Sequence, residues 1–115
     1  MKLLIVDDSE RVRGLIKRML GGLCEAIYEC ADGMEALAAY DKFQPDWVLM
    51  DIRMQKLNGV EATRQIVAAH QEARVVIVTN YDDERMRETA RAAGAYYYVL
   101  KEDLSTLARV LTAPS

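Results

Sequence analysis

Asp7 and Asp8 stand side by side at the end of an apolar run, residues 3–6, and a third aspartate, Asp51, ends a second such run, residues 47–50. Thr79 follows residues 74–78 and Lys101 follows residues 95–100. Each run wants burial, and each ends in a group that wants water, a cation or an anion. Three carboxylates drawn together repel, and raise one another's pKa unless a cation joins them. Hard oxygen donors, few in number and partly open to water, suit Mg²⁺, and Mn²⁺ fits as well. The Thr79 hydroxyl and the Lys101 ammonium can take phosphoryl oxygens. The set suits metal-assisted transfer of a phosphoryl group onto a carboxylate. A carboxylate nucleophile splits one hard transfer into two easier ones, while metal and lysine offset the charge on the group in flight.

That chemistry requires all five residues to reach one place, which depends on the elements that carry them. Five strands are expected, at 3–6, 26–29, 47–50, 74–78 and 95–100. The first, third and fourth are almost continuously apolar, the pattern of strands covered on both faces in a parallel sheet. Helices alternate with them. Val12, Leu15, Ile16, Met19 and Leu20 form a helical stripe, stopped by Gly21-Gly22. Asp32 with Glu35, and Asn58 with Glu61, have the spacing of capping boxes. The second helix would turn Met34, Leu37 and Ala38 inward and end by Pro45. The third would bury Val60, Thr63, Ile66 and Val67. A fourth helix at 82–93 has only Met86, Ala90 and Ala93 on its apolar side, with Gly94 as its cap, and a fifth begins near Asp103 with Leu104, Leu107, Ala108 and Leu111 aligned. The reading is α/β: a (βα)₅ doubly wound, five-stranded parallel sheet in the flavodoxin-like order 2-1-3-4-5. In such a sheet ligands bind at the carboxyl ends of the strands, where the order reverses. Strands 1 and 3 flank that point, and they end in Asp7-Asp8 and Asp51.

The composition narrows the function. The chain has 115 residues, 51% hydrophobic and 29% charged, with a net charge of −3. One globular domain over 1–115 is expected, without an output domain. No global basic field draws it to nucleic acid or anionic membranes. No apolar run approaches a membrane span, and charges interrupt the first 20 residues where a signal peptide would be apolar. A cytoplasmic protein is expected, with Cys24 and Cys30 as buried, reduced thiols. His70 reads as an exposed helix-end residue, and the charged run from Asp82 to Glu88 as a solvated helix face.

With these stretches in place the sequence resembles the receiver domain of bacterial two-component response regulators, nearly end to end. The resemblance rests on "LLIVDDSE" at 3–10, "PDWVLMDIRM…NG" at 45–59, "VVIVT" at 75–79 and "AAGAYYYVLK" at 92–101. It implies that Asp51 is the phospho-acceptor. Asp8, Asp51 and the backbone carbonyl of Arg53 would bind Mg²⁺ directly, with Asp7 helping through water. Thr79 and Lys101 would hold the phosphoryl oxygens. Thr79 and Tyr98 would form the switch, the Tyr98 ring turning inward when Thr79 moves. Arg53, Asn80 and Tyr81 would form the rim. The implied partners are a sensor histidine kinase or a phosphotransfer protein, and a homodimer through helix 4, strand 5 and helix 5 or through helices 1 and 5. The domain would catalyse only its own phosphotransfer and autodephosphorylation, and would serve transcription regulation.

The resemblance is not complete. Gln55 follows Met54 where the family commonly has proline, so the fixed φ of proline is absent there. Glu102 follows Lys101, where proline is also frequent; an acidic residue there is shared with some regulators carrying helix-turn-helix output domains. A cis bond before a residue other than proline costs ~2.5–4 kcal/mol, so the Lys101–Glu102 bond is expected to be trans. Asn80 replaces a smaller residue at the pocket mouth. Tyr97 stands where a small or polar residue is usual; alternation sends Tyr96 and Tyr98 to one side of the strand and Tyr97 to the other, marking a partner or self-association face. Gln55, Asn80 and Glu102 support an alternative, a degenerate receiver acting as a phosphorylation-independent interaction module. A Mg²⁺-dependent aspartyl phosphohydrolase is a third reading; such enzymes place nucleophile and acid two residues apart on one strand, a pattern absent here.

Overall fold

The fold, described by a computed structural model for residues 1–54 and 57–113, starts from five short β-formers. They are β1 (Lys2–Val6), β2 (Ala26–Cys30), β3 (Trp47–Met50), β4 (Val75–Thr79) and β5 (Tyr97–Leu100). All pair in parallel, in the order β2-β1-β3-β4-β5. This is the expected flavodoxin-like arrangement. β1, β3 and β4 are the three central strands, and their apolar residues are buried on both faces. One face packs Leu4, Val6, Val48, Met50, Val75 and Ile77 under α2 (Ala36–Phe43), α3 (Gly59–Ala69) and α4 (Glu84–Ala92). The other packs Leu3, Ile5, Leu49, Val76, Val78 and Val99 under α1 (Glu10–Leu20) and α5 (Leu107–Thr112).

The register delivers the chemistry. Val6 pairs with Met50, and Thr79 with Leu100. The residues that follow β1, β3 and β5 therefore emerge together with Thr79 at one edge. α1 starts just beyond Asp8 because Ser9 caps it, its hydroxyl accepting from the Val12 N–H at 3.2 Å. α3 starts against the site itself. The Asn58 side chain accepts from the Glu61 N–H at 2.9 Å, and the Gly59 N–H donates to the Ile52 carbonyl at 2.8 Å. A Cβ on Gly59 would lie 1.8 Å from the Asp51 carbonyl oxygen, so only glycine lets the helix approach this closely.

Several local expectations change. Glu61 does not close a capping box: its carboxylate meets Arg64 at 2.6 Å. Asp32 accepts from the Met34 and Glu35 N–H groups, as a cap should, but residues 33–35 form a 3₁₀ turn before α2. The tighter winding shifts the helix phase. Ala36 and Tyr40 are buried, Leu37 is half-buried, Ala38 is exposed, and Met34 is 63% exposed instead of inward. α1 passes into a 3₁₀ turn at Gly21–Leu23, with Gly21 right-handed, so the glycine pair does not form a left-handed stop. A left-handed cap does end α2, at Gln44 (φ 48°). The fifth helix opens as 3₁₀ over Lys101–Thr106, broken at Asp103, and becomes α only at Leu107. Met19 is exposed at the end of its stripe. Tyr96 precedes β5 rather than alternating within it, and its ring meets Trp47 edge-on at 5.4 Å, a residue of the opposite core face from Tyr98. Among the described residues there is no cis peptide bond, including Lys101–Glu102, and both cysteines are free. Burial first, then Glu35 and Asp32, pushes the Cys30 thiol up to about 11. Gln55 lies outside the described residues. Among the described residues no helix is long and apolar enough to cross a membrane.

Candidate functional site: an acidic pocket at the carboxyl edge of the sheet

Asp7 and Asp51 are carried to the edge by buried strands and remain buried themselves, at 2% and 6% exposure, while Asp8 reaches solvent. One carboxylate oxygen from each of the three lies within 4.8 Å of the others. The Asp51 N–H donates to the Val6 carbonyl at 2.9 Å, tying the two strand ends together. Asp51 Oδ1 accepts from the Ile52 N–H at 2.9 Å. Lys101 arrives from β5, and its Nζ lies 3.0 Å from Asp7 Oδ2 and 3.4 Å from Asp51 Oδ2.

Burial is the main cause that drives the Asp51 carboxyl up to about 6, and the Asp7 charge adds to it. Lys101 and the Ile52 N–H pull in the opposite direction without cancelling it. Three carboxylates converge here and Lys101 reaches only two of them, so a hard cation would relieve the remaining repulsion. The donor set fits Mg²⁺: all oxygen, carboxylates converging, one of them open to water.

Thr79 is fully buried and its Oγ1 accepts from the Tyr81 N–H at 3.3 Å. The Tyr98 hydroxyl donates to the Tyr81 carbonyl at 2.6 Å, and the Arg87 guanidinium lies over the Tyr98 ring at 4.5 Å. One residue, Tyr81, thus joins Thr79 to Tyr98 through its two backbone groups. The expected rim is also drawn together in part: the exposed Arg53 stacks over the Tyr81 ring at 4.4 Å, and Asn80 is exposed beside Lys101 along a neighbouring cleft. Tyr97 is 45% exposed, away from the pocket. His70 stands at the end of α3 as expected but is half-buried, its Nε2 2.5 Å from Asp41 Oδ1.

Two contributors escape the sequence reading. The Ile52 N–H is a backbone donor and leaves no residue-type signal. Arg13, on α1, donates to the Asp7 carbonyl at 2.6 Å. Its place five residues past Asp8 and one turn into the helix is a weak hint that only the fold makes meaningful.

The response regulator receiver domain family matches residues 3–112. The transcriptional regulatory protein DegU of Brevibacillus brevis is 36% identical over 104 residues, covering 89% of this chain and 44% of DegU. The chemotaxis protein CheY of Halobacterium salinarum is 36% identical over 100 residues, covering 87% of this chain and 83% of CheY. A crystal structure of a two-component response regulator of the LuxR family from Aurantimonas sp. SI85-9A1 superposes with a TM-score of 0.90 at 32% identity, covering 97% of this chain and 82% of that one. The chain thus spans less than half of the DegU regulator but most of CheY. With a doubly wound sheet and an acidic pocket at its switch point, the chain belongs to the response regulator receiver domain family, the signalling switches of two-component systems.

Proposed function

We propose that this domain is switched by phosphorylation of Asp51. The observation that carries this reading is the Asp51 carboxylate itself: buried at the end of β3, converging with Asp7 and Asp8, and in reach of Lys101. In its ionised form the Asp51 carboxylate can act as nucleophile. An Asp51 oxygen forms the new bond to phosphorus as the bond from phosphorus to the donor's histidine nitrogen breaks. Lys101 then moves from pairing carboxylates to holding a phosphoryl oxygen, and Thr79 donates its hydroxyl to another. Asp8, Asp51 and the Arg53 carbonyl would hold Mg²⁺, with Asp7 acting through water; the ion would offset charge on the transferring group.

The donor is a sensor histidine kinase or a phosphotransfer protein. A cleft of about 420 Å³ beside Lys101, bordered by Ser9, Arg11, Leu15, Asn80 and Leu104, is where it would approach. The phosphorylated state biases Thr79, Tyr81 and Tyr98, and with them α4 and β5. The output is regulation of transcription, supported by the likeness to DegU and the LuxR-family regulator.

Incubation with Mg²⁺ and a small phosphodonor, read by intact mass, tests the reading. Wild type gains one phosphoryl group and Asp51→Ala gains none; beryllofluoride perturbs the spectrum of the first alone. No response in wild type, or an undiminished one in Asp51→Ala, overturns it.

A further inference from the structure

Every polar group of Asp7 has a partner. Its N–H donates to the Cys30 carbonyl at 3.1 Å, its Oδ1 accepts from the Ser9 N–H at 2.8 Å, and its Oδ2 faces Lys101 Nζ at 3.0 Å. The fourth group, the main-chain carbonyl, accepts from Arg13 Nη1 at 2.6 Å. A charge-assisted bond of this length is among the stronger ones.

Arg13 is itself held. Its Nε lies 2.9 Å from Glu29 Oε1, and the other Glu29 oxygen lies 2.9 Å from Lys17 Nζ. Glu29 sits on the edge strand β2, paired in register with Ile5. The Lys17 hydrogen bond keeps the Glu29 carboxyl below its usual range; burial opposes this and Arg13 reinforces it. The guanidinium therefore spans from the sheet edge to the acid corner with a ligand at each end.

The consequence falls on Asp8. The Asp7 carbonyl and the Asp8 N–H belong to one planar peptide, which also fixes the Asp8 Cα. Among the described residues no hydrogen bond or ion pair involves the Asp8 side chain. The preceding peptide sets where the Asp8 Cα stands, and so the point from which its carboxylate reaches toward the pocket. We propose that Arg13, braced by Glu29, is a positioning residue for cation binding: by fixing the Asp7–Asp8 peptide it aims the exposed carboxylate of Asp8 at the buried carboxylate of Asp51. This rests on the acidic pocket's being a metal site. Residues that orient metal ligands from behind commonly change affinity by about 10–100-fold when removed.

The test combines Mn²⁺ binding, read from the loss of the free-ion electron paramagnetic resonance signal, with amide hydrogen exchange in metal-free protein. Arg13→Met keeps the aliphatic stem and removes both bonds. It is expected to weaken Mn²⁺ binding about tenfold and to speed exchange at the Asp7 and Ser9 amides, with β4 amides unchanged. Arg13→Lys, which keeps the charge and one donor, recovers part of the affinity. Glu29→Gln costs less than Arg13→Met. A folded Arg13→Met protein with wild-type Mn²⁺ affinity, or with unchanged exchange at Asp7 and Ser9, overturns the proposal, even if its urea midpoint falls. If wild type takes up no Mn²⁺, the metal-site reading fails. The exchange measurement then still decides whether Arg13 holds the corner.

Discussion

The acid centre at the ends of β1 and β3 and the flank formed by α4 and β5 are built to opposite standards. The centre is enclosed by fully buried strands, and α3 meets it at a glycine contact. Around Asp7 every polar group is tied. The flank has little apolar anchoring: α4 buries Ala90, is followed by the buried Ala93, and covers Met86 only in part. Polar contacts do the rest, from Tyr98 to the Tyr81 carbonyl and from Arg87 to both Asp82 (3.1 Å) and the Tyr98 ring. Small side chains give little hydrophobic free energy, and exposed ion pairs give at most ~1 kcal/mol. The phosphorylation switch proposed above would need one part that fixes reacting atoms and another that can rearrange for a few kcal/mol; these two regions, side by side along one sheet, have the packing that such a division of labour requires.

Four substitutions can break or sharpen that contrast, in descending order of effect. Gly59→Ala drives a methyl group into the Asp51 carbonyl. Because the centre is tightly packed, it is expected to cost ~3 kcal/mol or more, read as a large drop in the urea midpoint; tolerance would show that the centre can yield after all.

Asp51→Asn is expected to stabilise the metal-free protein by ~1–3 kcal/mol at pH 7, the loss of the Lys101 pairing reducing the gain. The sign follows from the raised carboxyl, at about 6 against an ordinary 3.8. Stability tied to its protonated form is complete below the ordinary value and is lost as pH rises through about 6. The advantage of the variant should therefore grow between pH 4 and 6 and level off above. A gap independent of pH would mean that Asp51 is not strained by its neighbours. Added Mg²⁺ should narrow the gap, since it stabilises only a protein that binds it.

Tyr98→Phe removes one hydrogen bond to the Tyr81 carbonyl, at a cost of ~1 kcal/mol. Faster amide exchange should be confined to α4 and the loop before it. Spread of the effect into β1 and β3 would erase the distinction between the regions. Tyr97→Ala, on the exposed side of the flank, should change stability by less than ~0.5 kcal/mol. Its expected effect is on association, measured as oligomeric state and partner affinity with and without phosphorylation. No change in any of these would remove Tyr97 from the proposed contact face.

The central strands were legible because residues 3–6, 47–50 and 75–78 are apolar without interruption, which only a doubly covered strand requires. The strand ends followed from them. The ends of helices were less legible. Nothing in the composition of residues 33–35 or 101–106 distinguishes a 3₁₀ turn from an α turn, yet that difference turned Met34 outward and delayed the fifth helix to Leu107. Tyr96 escapes the alternation because it stands one residue before β5, where the strand's period no longer applies.

The sequence by itself determined which residue types stand at the carboxyl ends of the strands, and hence that aspartates, a threonine and a lysine would share an edge. Period and burial preference are local properties, written in neighbouring residues. Tertiary structure alone decided that Lys101 reaches both Asp7 and Asp51, that burial lifts the Asp51 carboxyl toward 6, and that Arg13 grips the Asp7 carbonyl. Those facts depend on the register and spacing of segments far apart in the chain, and a few ångströms, invisible in any spacing of letters, separate a bond from no contact.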